Sequence, residues 1–337
     1  MHRTVEATSD REPPSTGPWR PTAASGGNLA ATVVRRHYRR AMAQELSERS
    51  ELAPGVTLTT GEAGLPMIRV ECGPATGSIY LHGAHVVEWV PVGRGSALWL
   101  SAVPYDGGGA LIRGGVPICF PWFGNGPDGT RSPLHGFAGR LPWAIEEVRG
   151  TDDGVLVVLH LTESPATTAQ WPHLFEATYQ VLFGEKLRLS LQIRNTGTEA
   201  FTFEQALHSY FNVNDVAGIA IRGLEGETYT DRAPGAAAAT GVLSGPMHIV
   251  AETDRVFEGT SAPTYIQDTL HTVRIAKTGA ASTVVWNPWS DKAEAMPDFG
   301  DDEWPWMVCV ETGNVRSDAI TLSPGQAHTM TTTITLD

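Results

Sequence analysis

Two ionisable side chains stand in apolar surroundings. In FEQALHSYFNVND (203–215), His208 sits among Phe, Leu and Tyr on what reads as a β-strand. In WMVCVETGNV (306–315), Glu311 follows the apolar run Met307 to Val310 and precedes a Thr-Gly turn. Burying a carboxylate is costly unless it has partners or work to do. Two loops supply further polar candidates. RGGVPICFPWFGNGPDG (113–129) and LHGFAGRLPW (134–143) are dense in Gly, Pro and aromatic residues, with Arg113, His135 and Arg140 among them. Pro restricts φ and Gly allows close backbone approach, so such loops are rigid. Aromatic planes that stack on sugar ring faces, with a few fixed donors that read hydroxyls, make a carbohydrate site of this kind. Packed loops at the end of a β-sandwich, with two surface arginines, have the same composition.

The elements that must hold these residues are strands. In EATYQVLFGEKLRLSLQIRNTG, Leu187, Leu189, Leu191 and Ile193 alternate with Arg188, Ser190, Gln192 and Arg194, giving one buried and one wet face. Gly184-Glu185 falls where a hairpin turn is needed. Similar short strands are MIRVEC, SIYLHG, HVVEWV, GVLVVLHL, HTVRIA, STVVW and TMTTTITL, and no ten-residue stretch between them has a 3.6-residue period. A parallel βαβ fold is therefore disfavoured. The pattern predicts an all-β chain, a large antiparallel β-sandwich, as one catalytic domain over residues 43–337. Residues 1–42 carry DREPPSTGPWRPTAASGG and VVRRHYRRA without an alternating pattern, and read as a disordered extension. Met42 is a candidate later start.

Composition narrows the function classes. Of 337 residues 18% are charged, and the formal net charge is -13, which argues against non-specific binding to nucleic acid or an anionic membrane. Cys72, Cys119 and Cys309 are few, distant and without CxxC spacing, so neither a disulfide framework nor a cysteine zinc site is expected, and a cytoplasmic location fits. His135, His160, His173 and His208 lack ligand spacing for a metal. There is no run of about 18 apolar residues of the kind that spans a membrane. The acidic run Asp298, Asp301, Asp302 and Glu303 reads as a solvated loop.

Six segments occur in a telling order: RGGVPICFPWFG, HGFAGRLPW, ALHSYF, ETDRVF, WNPW and DDEWPWMVCVETG. Together they resemble the glucose-6-phosphate 1-epimerases, or D-hexose-6-phosphate mutarotases, within the wider aldose 1-epimerase group. The resemblance spans about residue 50 to the C-terminus. It implies a galactose-mutarotase-like sandwich and cofactor-free interconversion of the α and β anomers of a hexose 6-phosphate, glucose 6-phosphate first, by a monomer. It also implies that His208 and Glu311 are the catalytic pair, that Arg113 binds phosphate or hydroxyl, and that His135 and Asp254 contact the sugar. Near neutral pH the reference pKa values of about 4.3 for Glu and about 6.5 for His let a carboxylate base and an imidazolium acid coexist.

The chain departs from that pattern at one place. The family reads QHGFAR or AHGFAR, whereas here Gly139 holds the arginine position and Arg140 follows it. A one-residue shift on a strand would turn the side chain to the other face, while in a glycine-containing loop Arg140 could reach the same place. Two rival readings accompany the leading one: an aldose 1-epimerase for unphosphorylated sugars, and a non-catalytic carbohydrate-binding sandwich, which would have no use for a His–Glu pair.

Overall fold

The computed structural model describes residues 52–107, 111–236, 238–269 and 271–337. The expected extension over residues 1–42 lies outside these. The described strands form antiparallel sheets, two of them eight-stranded, whose inner faces share a hydrophobic core. The architecture is the all-β sandwich that the alternation indicates.

One large sheet is regular. Across it run Ala220–Arg222, Thr264–Gln267, Thr272–Thr278, Ala327–Leu336, Leu187–Asn195, Phe175–Gly184, Gly154–Thr162 and Ala144–Thr151. Leu187, Leu189, Leu191 and Ile193 are each 0% exposed, while Arg188, Gln192 and Arg194 face solvent. Burying each such side chain stabilises by roughly 2 kcal/mol. Phe183 pairs with Leu187, so Gly184-Glu185-Lys186 makes the turn, and a Cβ at Gly184 would collide with the Asp153 carbonyl.

The second large sheet carries the candidate residues. Its strands are β1 (Ile118–Cys119), β2 (Gln205–Leu207), β3 (Tyr210–Asn212), β4 (Thr228–Asp231), β5 (Thr240–Val242), β6 (Thr253–Phe257), β7 (Ser282–Asn287) and β8 (Met307–Asn314). The order is β5-β4-β6-β7-β8-β2-β1, and β3 also pairs with β8. Leu207, Phe211, Val285, Val308 and Val310 join the shared core. The alternate residues point away from it. There Cys119, Ala206, Val256 and Val284 make one apolar patch, and Tyr210, Trp286, Met307 and Cys309 another with Trp99 and Phe299. Strands β7, β8, β2 and β1 are therefore buried on both faces, whereas β4 and β5 at the far edge are partly exposed.

A four-stranded sheet, Val56–Thr60 to His85–Pro91, flanks the two. Trp89 Nε1 donates to Gly184 O at 3.0 Å, and Val86 bridges to Val116, so it braces both the regular sheet and the loop after Arg113. Helices are short: the longest described is Trp289–Ala295. Among the described residues no helix is long and apolar enough to cross a membrane.

Candidate active site

His208 does not lie within a continuous strand, contrary to the reading of ALHSYF. It sits in the break between β2 and β3, where Ser209 N–H donates to Leu207 O at 2.9 Å and tightens the chain. The register survives the break. Leu207 pairs with Thr312 and Tyr210 with Cys309, with two residues between them on each strand, so His208 lies opposite Glu311 of β8. Directly opposed residues on one face bring their side chains together. His208 Nε2 is 3.4 Å from Glu311 Oε1. On its other side the break is bonded to the RGGVP loop: His208 N–H donates to Pro117 O at 3.0 Å and Tyr210 N–H to Gly115 O at 2.9 Å. Pro117 and the two glycines cannot extend a regular strand, and the loop serves as a bent edge.

That loop has a support that sequence reasoning missed. Gly115 has φ +62°, and a Cβ there would collide with Val86 O. Buried His85 holds Gly114 O through Nε2 at 2.7 Å, and burial lowers its pKa to about 4, so the neutral ring donates. Arg113 is thereby aimed into the site. Its Nη1 donates to Tyr210 Oη at 2.8 Å, and its Nη2 to Asp298 Oδ1 and Oδ2 at 3.2 and 2.9 Å. The Tyr210 ring stacks on His208, with centroids 4.7 Å apart at 11°, and the Trp286 ring meets His208 edge-on at 6.0 Å. Tyr210 was legible, since it lies two residues from His208 on the same face. Asp298 was not. The acidic run is solvated only in part: Asp301 and Asp302 are exposed as expected, but Asp298 binds Arg113, and Glu303 accepts from Ser101 Oγ, Ala102 N–H and Gly300 N–H.

His135 joins from the second loop. Its φ is +65°, and its Nδ1 accepts the Gly124 N–H at 3.2 Å, which leaves the proton on Nε2. The ring sits 5.4 Å from that of His208 at 86°. Burial, then the charges of Arg113, Arg140 and Arg232, lower its pKa to about 3. It is a neutral donor.

Arg140 ends a 3-10 turn, Ala138–Arg140, so the face reversal that a strand would impose does not apply. It is half-buried; burial lowers its pKa first, and Tyr105, Arg113, Asp298 and Cys119 act on it electrostatically. Arg113 and its partner Asp298 are thus among the charges that act on Arg140. Gly139 is packed too closely to bear a side chain: a Cβ would lie 2.7 Å from Leu111 Cδ2 and 2.9 Å from Ile118 O.

Asp254 is on β6, opposite Trp286, which is opposite Cys309. Val256, opposite Val284, which faces Glu311, stands in the adjacent row, so Asp254 is diagonal to the pair on the same face. It is not matched with Arg255, whose Nε bonds Asp231 at 2.9 Å. Burial raises the Asp254 pKa, opposed by Arg232 and Lys292.

The pair itself is nearly dry. Glu311 is 1% exposed and His208 8%. Burial raises Glu311 well above the usual carboxylate range, reinforced by Asp254 and opposed by Arg232; burial, His135 and Arg113 lower His208 well below the usual imidazole range. The unliganded site therefore disfavours the carboxylate–imidazolium form that reference values alone would allow. His208 Nδ1 and Glu311 Oε2 have no hydrogen-bond partner among the described residues. Two adjacent groups with one proton between them can take a proton from one atom and give one to its neighbour. Among the described residues no three His, Cys, Asp or Glu side chains are grouped to hold a metal ion.

A sandwich of large antiparallel sheets of this form is a galactose-mutarotase-like architecture. It superposes on a galactose mutarotase-like protein from Clostridium acetobutylicum with a TM-score of 0.65 at 16% identity, covering 86% of this chain and 99% of that one. The aldose 1-epimerase family model matches residues 68–335, and the chain belongs to that family. A Salmonella typhimurium protein provisionally named glucose-6-phosphate 1-epimerase is 38% identical over 253 residues, 74% of this chain and 83% of its own length. The crystal structure of a provisionally assigned mutarotase from Salmonella typhimurium matches with a TM-score of 0.78 at 32% identity, covering 88% of this chain and 99% of that one.

Proposed function

We propose that this chain interconverts the α and β anomers of a D-hexose 6-phosphate, glucose 6-phosphate first, by acid–base ring opening and reclosure. The observation that carries the reading is the opposition of His208 and Glu311 across unbroken register, at 3.4 Å. In the reacting form the Glu311 proton has passed to His208 across their 3.4 Å contact; Glu311 then takes the proton of the anomeric hydroxyl while His208 delivers one to the ring oxygen. The C1–O5 bond opens, C1 becomes an aldehyde carbon and rotates about C1–C2, and reclosure from the other face returns both protons. The hydroxyl and ring oxygens share one carbon, so two groups in contact can serve both. In this reading His135 Nε2–H and the Asp254 carboxylate hold sugar hydroxyls, and Trp286 and Tyr210 supply ring faces.

Arg113 and Arg140 are the cations for the phosphate. Guanidinium groups bind phosphate with paired, charge-assisted hydrogen bonds. One observation favours the second reading, an aldose 1-epimerase for unphosphorylated sugars: Arg113 already faces a carboxylate, that of Asp298 at 2.9 Å. The experiment is an anomerisation assay on glucose 6-phosphate beside free glucose and galactose, with equilibrated and freshly dissolved sugar. Preference for glucose 6-phosphate supports the first reading. Equal or better turnover of free sugars moves the second to first place, and no acceleration of any of them removes both.

A further inference from the structure

Arg232 follows β4 in the segment TDRAPG and belongs to none of the motifs. Its backbone N–H donates to Asp254 O at 2.8 Å, which sets the residue beside the start of β6. Its guanidinium lies over Gly124, with Nη2 and Nη1 3.5 and 3.6 Å from where a Cβ would stand. Gly124 is the residue whose N–H holds His135 Nδ1. Arg232 also walls a cavity of about 540 Å³ together with Phe123, whose ring packs on His135 at 5.0 Å. The neighbouring cations are committed: Arg255 to Asp231 and the Tyr229 ring, Arg113 to Asp298 and Tyr210, Lys292 to Glu252. Among the described residues no ion pair or hydrogen bond engages the Arg232 guanidinium, and the ladder bond to Asp254 puts its side chain on the sheet face that carries Asp254 and Glu311.

We infer that Arg232 is an electrostatic positioning residue, whose charge offsets burial at Glu311 and Asp254 so that they can give up their protons, without bonding to either. This rests on the acid–base assignment above. The other groups facing Glu311 do not supply that charge. His208 is its proton partner, Asp254 is a like charge, and Cys119, Cys309 and Tyr210 are neutral when buried. His135 is neutral, and the Arg113 guanidinium is bonded to Tyr210 Oη and to its own carboxylate, Asp298. Coulomb attraction across several ångströms of protein is enough to move a proton affinity by about a unit.

The test is the pH profile of kcat/KM for Arg232→Gln, Arg232→Glu and Arg232→Lys, in the full chain, on the sugar that the wild type turns over best. Removing a cation makes nearby acids hold their protons more tightly. In Arg232→Gln the bell therefore moves to higher pH, by roughly one unit, and its maximum falls severalfold. Arg232→Glu moves it further, and Arg232→Lys restores it. KM at the optimum stays within about twofold. An unmoved bell overturns the inference. So does a rise in KM confined to a phosphorylated sugar, since Arg232 would then be a phosphate contact. A second readout needs no turnover: isotope-edited infrared titration of labelled Glu carboxyls, with Glu311→Gln identifying the band. A Glu311 band that titrates at the same pH in wild type and Arg232→Gln overturns the inference even if the chain proves to have a different substrate.

Discussion

The two large sheets are built to different rules. The regular sheet has strands of up to ten residues, Phe175–Gly184 and Ala327–Leu336 among them, with one face in the core and the other in water. The second sheet has strands as short as two residues, is covered on both faces from β7 to β1, and is interrupted where a histidine meets a glutamate. Regularity serves burial. Interruption serves chemistry, because a break flanked by intact register puts His208 opposite Glu311 and still frees the backbone beside it to bond the RGGVP loop.

The contrast is tested first at the pair. His208→Ala and Glu311→Gln should each lower kcat on the order of 10² to 10⁴-fold with Tm at or above the wild-type value, since each removes a buried ionisable group. Retention of more than about a tenth of the activity would remove that residue from acid–base catalysis. The counterpart in the regular sheet is Leu191→Ala, which should destabilise by about 2 to 5 kcal/mol while the folded fraction keeps its kcat. Chemical denaturation with kinetics on the same samples reads both, and a selective loss of kcat would show that the two sheets are not separable.

His85 probes the brace between them. Its ring is held at about 4, whereas an unfolded chain takes up the proton near 6.5. A depressed folded pKa gives stability that is whole above about 6.5 and is lost as pH falls toward 4, roughly 3 kcal/mol in all. His85→Gln keeps a donor for Gly114 O and should flatten the fall of Tm between pH 7 and 4.5; an unchanged slope sinks this role. Arg140→Ala should raise KM for glucose 6-phosphate about ten- to a hundredfold and leave turnover of free glucose nearly unchanged. Equal effects on both sugars mean that Arg140 does not read the phosphate. The smallest effect is expected at the N-terminus, where a chain starting at Met42 should match the full chain in activity and solubility.

What the sequence made legible follows the same division. Leu187 to Ile193 alternates over a whole strand, and period two is a local signal. His208 and Glu311 stood out because an ionisable group in an apolar run is a local anomaly. That they face each other depends on strand pairing across about a hundred residues, which no local pattern records. Asp298 reached Arg113 from an acidic run that composition assigns to solvent. His85 and Arg232 act through a backbone carbonyl and through space, so neither leaves a motif. The resting protonation of the pair also escaped the sequence, since reference values presume water and Glu311 has almost none.

The glycine before Arg140 sets a constraint on descent. Gly139 has no room for a Cβ against Leu111 and Ile118, and a Cβ on Gly83 would collide with the Gly139 carbonyl. The two glycines interlock, so an arginine at position 139, the place it has in HGFAR relatives, would have to displace Leu111 and the Ile118 carbonyl. A lineage carrying HGFAGR must first reshape the contact among residues 83, 111, 118 and 139. Until then its arginine stays one place along, and relatives are to be compared in this loop by where the guanidinium lies, not by column.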